Sequence, residues 1–249
     1  SKILNLPTIS SLLSDNQYTC FLNYYLENIF DQIMTFNGII ESYYTDFSIV
    51  SIFSPALFSE NHCELALNTA FSIKDTDKKI NADIKTIPLS PKIDGMNDDL
   101  YTAFFILNHN KVKVSTQTAL FTDSINTGFT GAKEKFSFKI CDNSWKEALS
   151  LCDFSQKTGL TGIIVNEKAG ENLKNSCIIR KLNENYEVLG KLSDDNEKLW
   201  NYTKYWNQAM DLLEKGDKQK ALAIFKKLNE GRPNDNAARY FIKLLEVVE

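Results

Sequence analysis

The stretch Phe36-Asn37-Gly38-Ile39-Ile40-Glu41-Ser42-Tyr43-Tyr44-Thr45-Asp46-Phe47-Ser48-Ile49-Val50-Ser51-Ile52-Phe53 decides how the chain folds. Two runs face each other across Thr45-Asp46: Ile39 to Tyr44, and Phe47 to Phe53. The second is apolar almost throughout and β-branched, the pattern of a strand buried on both faces. Immediately upstream, between Asn16 and Thr35, apolar residues fall at Phe21, Leu22, Tyr25, Leu26, Ile29 and Ile33. That three-and-four spacing predicts an amphipathic helix. Asn37-Gly38 is expected to end it, with Gly38 taking the left-handed conformation.

Working outward, Ile3 to Leu6 reads as a short strand stopped by Pro7. Beyond the hairpin, Leu65, Ala66, Ala70, Phe71 and Ile73 return to helical spacing over residues 61 to 73. Lys74 to Asp99 turns polar, carries Pro88, Pro91 and Gly95, and reads as a loop or insertion of about 74–99. Strands are predicted at Val112 to Phe121, Lys135 to Ile140, Gly162 to Val165, Cys177 to Leu182 and Tyr186 to Leu189, with a helix at Trp145 to Gln156. The mixture predicts an α+β sheet covered by helices. After Gly190 no strand signal remains. Trp206, Ala209, Leu212, Leu213, Gly216, Ala221, Phe225, Leu228 and Pro233 fall at the spacing of a tetratricopeptide (TPR) hairpin, whose repeat is about 34 residues. A third helix, Asn236 to Val248, follows. A single repeat cannot bury its own apolar face, so this tail is expected to pack on the main domain or on a partner.

Bulk properties narrow the classes. At 249 residues, 43% hydrophobic and 24% charged, the chain has an ordinary globular composition. A net charge of -4 argues against nucleic acid as partner, since that affinity rests on a concentrated basic surface. Five cysteines are widely spaced without a Cys-x-x-Cys pair, and only two histidines accompany them. Reduced thiols in a cytoplasmic protein fit this better than a disulfide framework or a zinc site. The longest apolar run, Phe47 to Phe58, is short of the roughly 20 residues of a membrane helix. The sequence opens without Met on a strand-like run, so any membrane or sensor segment is expected upstream.

Several short patterns invite chemistry and do not carry it. Gly128-Phe129-Thr130-Gly131 lacks a following Walker lysine and reads as a hairpin turn. Asp75, Asp77, Asp94, Asp98 and Asp99 lack the spacing of a calcium loop and read as solvated. With two histidines and no nucleophile motif beside them, a hydrolase has no support.

From about residue 3 to residue 190 the sequence resembles a class III adenylate/guanylate cyclase homology domain. The landmarks are Leu13-Ser14-Asp15 after the first strand, the helix from Asn16, the Asn37 to Phe53 hairpin, the Ala66 to Phe71 helix, and Lys139-Ile140-Cys141-Asp142 leading into the Trp145 helix. The resemblance implies a ferredoxin-like, palm-type fold over residues 1–191, with a small all-α, TPR-like extension over 192–249. In that family a first-strand carboxylate and a hairpin carboxylate bind two divalent metals that hold the triphosphate. Asp46 matches the hairpin carboxylate, and turn propensity alone also explains an Asp there. The first-strand position falls at Leu6 or Pro7, neither able to bind a metal. The two purine-reading positions fall at Ser42 and Phe138, the ribose-orienting Asn at Trp145 and the transition-state Arg at Leu149. Lys146 neighbours these but points about 100° away on the helix.

The expectation is therefore a degenerate cyclase domain that needs no cofactor, with Asp46 a vestigial lone ligand. Trp145 and Phe138 are expected to fill the former nucleotide cleft. Its partners would be a second copy or another cyclase-like chain, as homodimer or heterodimer, with a protein partner at the C-terminal helices also open. Two alternatives stand beside it: an active adenylate or guanylate cyclase using Mg or Mn with atypical residues, and a TPR-type interaction scaffold.

Overall fold

The computed structural model describes residues 1–43, 46–55, 61–87, 96–132, 135–158, 160, 162–193 and 196–246. Chain contacts divide it into two units, Ser1–Thr116 with Thr130–Lys139, and Gln117–Phe129 with Ile140–Glu249, each with its own apolar core.

The first unit opens with β1 (Lys2–Ile3) and α1 (Leu6–Leu12), so the predicted first strand ends early and Leu6-Pro7 begin a helix. Proline is at home there, because the first turn of a helix has no use for its missing N–H. Next comes α2 (Asp15–Thr35), started by a capping box in which Ser14 and Gln17 bond each other's backbone. It buries Phe21, Leu22, Tyr25, Ile29 and Ile33, the face its spacing predicted. The residue in the left-handed region after it is Asn37, with φ 59°, and not Gly38. Gly38 is required for space instead: a Cβ there would lie 2.6 Å from the Phe53 ring and 2.7 Å from Ile33.

The hairpin forms as β2 (Ile39–Tyr43) and β3 (Ile49–Ile52), antiparallel. Ser1 and Ile49 exchange two backbone bonds, of 2.9 and 2.8 Å, and Leu4 N–H donates to Ser115. These place β1 between β3 and the segment leading to residue 115.

The predicted insertion of 74–99 is largely helical. Helix α3 runs His62–Thr86 without a break, burying Ile73, Thr76, Ile80 and Ile84. Its inward polar residues take up the backbone of the segment around residues 114–116: Asn81 exchanges two bonds with Val114, and Asp77 accepts the Thr116 N–H at 2.6 Å. Residues 88–95, Asp94 among them, lie outside the described residues. Helix α4 (Asp98–His109) follows, capped by Asn97, and Asp98 and Asp99 favour its positive N-terminal end.

In place of one run over Val112 to Phe121 there are two short strands, β4 (Thr116–Gln117) and β5 (Ala119–Leu120). The ribbon of β6 (Thr127–Ala132) and β7 (Lys135–Ile140) carries the chain between the units. Gly128 to Gly131 lie along β6 rather than in a turn.

The second unit continues with α5 (Ser144–Thr158), β8 (Ile163–Asn166), α6 (Glu167–Leu173), β9 (Cys177–Leu182) and β10 (Asn185–Lys191). Its sheet has the order β5-β8-β10-β9, with β5 parallel to β8 and the other pairs antiparallel. Three helices follow: α7 (Glu197–Glu214), α8 (Lys218–Gly231) and α9 (Asn236–Glu246), with Gly216 at φ 82° in the first turn between them. Trp206 is fully buried at their centre, its ring 4.9 Å from Phe225 and 5.6 Å from Phe241. The same core takes in Leu151 of α5, Leu160 just after it, and Ile164 and Leu182 of the sheet. Among the described residues no helix is long and apolar enough to cross a membrane.

Candidate functional site

The hairpin β2–β3 builds the site, and its irregularity matters. Ile40 pairs with Ser51 and Ser42 with Val50, so Glu41 is the extra residue of a bulge. Its side chain is only 4% exposed, and Lys139 of β7 meets Glu41 Oε1 at 3.2 Å. Lys139 Nζ also donates to the Glu41 carbonyl at 3.3 Å, and the Ser42 hydroxyl donates to Glu41 Oε2. Ser42 thus spends its hydroxyl on its neighbour. Phe138 lies half-buried on β7 beside Lys139.

At the turn, Asp46 accepts the Ser48 N–H on Oδ1 at 3.1 Å, an Asx-type bond that reaches two residues on. Its other oxygen, Oδ2, lies 3.0 Å from Lys2 Nζ. Partial burial would raise the Asp46 pKa, but the bonds from Lys2 and Ser48 outweigh it and hold the carboxyl below its ordinary value. Asp46 is therefore ionised and already has an ammonium at its side. Phe47 follows with φ 57°, a left-handed conformation that its ring offsets by packing edge-on against Tyr18.

The two residues expected at the first-strand position do not lie on a strand. Leu6 and Pro7 stand in the first turn of α1, with Leu6 packed against the core and Pro7 exposed. Between β1 and that helix lie Leu4 and Asn5, and Asn5 Nδ2 donates to the Lys113 carbonyl at 2.8 Å. Asn5 Oδ1 is buried without a hydrogen-bond partner, yet an amide oxygen brings no charge to a cation. Among the described residues no group of three His, Cys, Asp or Glu side chains could hold a metal ion. Two divalent cations demand anionic oxygens from the protein, and Asn5, Leu6 and Pro7 bring none to set beside Asp46, so these positions do not fit a two-metal centre.

In the second unit, Trp145 and Leu149 stand one turn apart on α5, both half-buried. The exposed Lys146 places its ammonium over the Trp145 ring, 5.4 Å from the centroid. Asp142 fixes the start of this helix by accepting the Asn126 and Ser144 N–H groups, which lower its pKa. The structure thus gathers Ser42, Asp46 and Phe138 in one unit and Trp145 with Leu149 in the other. Sequence reasoning missed Lys2, Glu41 and Lys139, which only strand adjacency and the bulge bring to the hairpin.

No protein-family model matches the chain, and no curated protein matches it. Solved structures do. A bacterial light-regulated adenylyl cyclase is similar over 83% of this chain and 55% of its own length, with TM-score 0.57 and 14% identity. The adenylyl cyclase CyaB from P. aeruginosa covers 78% of this chain and 91% of its own, with TM-score 0.54 and 12% identity. The non-canonical dimeric guanylyl cyclase domain of the RhoGC fusion protein from the aquatic fungus Blastocladiella emersonii covers 77% of this chain and 93% of its own, with TM-score 0.54 and 16% identity. The present chain spans 55% of the length of the light-regulated enzyme. At these identities the likeness is one of fold: an α+β, cyclase-like domain with a mixed sheet.

Proposed function

We propose that the chain is a catalytically degenerate nucleotide cyclase-like domain that serves as a dimerising, signal-transmitting module. The observation that carries this reading is the state of the hairpin carboxylate: Asp46 has both oxygens engaged, by Lys2 and by the Ser48 N–H. The other positions that would act in a cyclase are Ser42, Phe138, Trp145 and Leu149, none of which supplies a cation or a metal ligand. Losing a cation that neutralises a phosphoryl transition state costs on the order of a thousandfold or more. Here that loss coincides with the loss of the metal donors. In a two-fold dimer both sites would share the defect, so self-association would not repair it. The fold likeness to a guanylyl cyclase domain that is itself dimeric is consistent with self-association.

The test is an assay with ATP or GTP and magnesium or manganese, read as cyclic nucleotide by mass spectrometry. No product above the protein-free blank is expected, while sedimentation velocity shows a dimer. Cyclic nucleotide formed by the natural sequence and abolished in Asp46→Ala would overturn the reading in favour of an active cyclase.

A further inference from the structure

Both acidic side chains in the described part of the hairpin end on a lysine delivered by another strand. Lys2 of β1 reaches Asp46 at 3.0 Å. β1 is fixed beside β3 by the paired Ser1–Ile49 bonds, so this ammonium arrives on a short tether from the strand next door. Lys139 of β7 reaches Glu41 at 3.2 Å, and the Glu41 side chain is 4% exposed. The bulge is what makes Glu41 an unpaired, extra residue at that point of β2.

We propose that Lys2 and Lys139 are built-in counter-ions of the hairpin, standing in place of any bound metal, so that β2–β3 is held in the same way with or without a divalent cation. The proposal rests on the degenerate reading above and deepens it by naming what replaced the ligand. A carboxylate already met by an ammonium and an N–H has little field left to draw magnesium, which sheds its water reluctantly. For Glu41 the argument is stronger. A carboxylate so little exposed is costly unless paired, which makes Lys139 a structural requirement and leaves the pair unavailable to a nucleotide base. The hairpin then reports no ligand, and any signal passing through the domain must come from its protein contacts.

Hydrogen exchange across residues 39–52 of the full chain, with and without manganese chloride, tests this alongside a manganese titration followed by electron paramagnetic resonance. The natural chain is expected to show no saturable manganese binding and no change in exchange. Lys2→Met should speed hairpin exchange by about two- to fivefold, the range of a partly exposed ion pair, and added manganese should slow it again. Lys139→Met should have the larger effect, and Lys2→Arg, which keeps the charge, should match the natural chain. Saturable manganese binding that slows hairpin exchange in the natural chain would overturn the proposal, as would unchanged exchange in both methionine variants. Manganese protection without turnover would remove the counter-ions alone, whereas cyclic nucleotide would remove the proposed function.

Discussion

Asp77 carries its charge in an unfavourable place. It lies on the inward side of α3, accepting both the N–H and the hydroxyl of Thr116, whose oxygen also meets the buried Tyr25 hydroxyl at 2.9 Å. Burial raises its pKa, and the two bonds from Thr116 recover only part of that. Between its ordinary and its raised value the folded chain holds a proton that the unfolded chain has released. Stability therefore falls as pH rises through that window, and ionised Asp77 is a net burden at neutral pH. Asp77→Asn should remove this slope: urea melts should show the variant gaining on the natural chain as pH goes from about 4 to 7. A constant difference across that range would refute the assignment. In the sequence Asp77 looks like one more solvated acid beside Asp75, and nothing in local spacing predicts that Thr116 lies over it. The same holds for Lys2 and Asp46, whose proximity depends on β1 entering beside β3.

Helices in this protein close the backbone of strands, and that is a property of elements rather than of single side chains. Strand β9 is an edge of its sheet. Where its Lys181 faces outward, α7 supplies both partners: Asn207 Oδ1 accepts the Lys181 N–H at 2.8 Å, and Trp206 Nε1–H donates to the Lys181 carbonyl at 2.7 Å. Covering an edge in this way removes a template for unwanted pairing. Asn207→Ala should leave the Lys181 amide unpaired, costing about 1–3 kcal/mol, and that amide should exchange faster while the β10 amides stay protected. Exchange at Lys181 equal to that of the natural chain would dismiss the cap. The helix α2 could be read from apolar spacing alone because all five of its buried residues are large and apolar. The apolar pattern of the sequence stops short of the end of α3 because Asp77 and Asn81 interrupt it, although Ile80 and Ile84 keep its period. Those polar groups bond the backbone of Thr116 and Val114, and a pattern of hydrophobicity does not register that use.

Taken together, the helical extension belongs to the second unit as fully as the sheet does. Arg180 of β9 is buried between two carboxylates: its guanidinium bonds Glu187 on β10 at 2.6 Å and Asp235, just ahead of α9, at 2.5 Å. It also lies over the Trp206 ring, 4.4 Å from the guanidinium carbon, while the Tyr202 hydroxyl donates to Asp235 at 2.6 Å. Burial by itself would lower the Arg180 pKa, but the neighbouring carboxylates raise it, so the cation is permanent. One residue of the sheet thus fixes the chain on both α7 and α9. A scaffold acting through these helices alone would need them to stand by themselves, whereas here their apolar residues share one core with α5 and the sheet. Arg180→Met should strand the buried Glu187 and the partly buried Asp235 and destabilise the unit by about 3–5 kcal/mol. Because the network spans sheet and helices, the loss should appear at once in both. Hydrogen exchange of β10 and of α8 should accelerate together, by similar factors. Acceleration confined to α7–α9, with β8–β10 unchanged, would mean that the extension unfolds independently and would restore the scaffold reading.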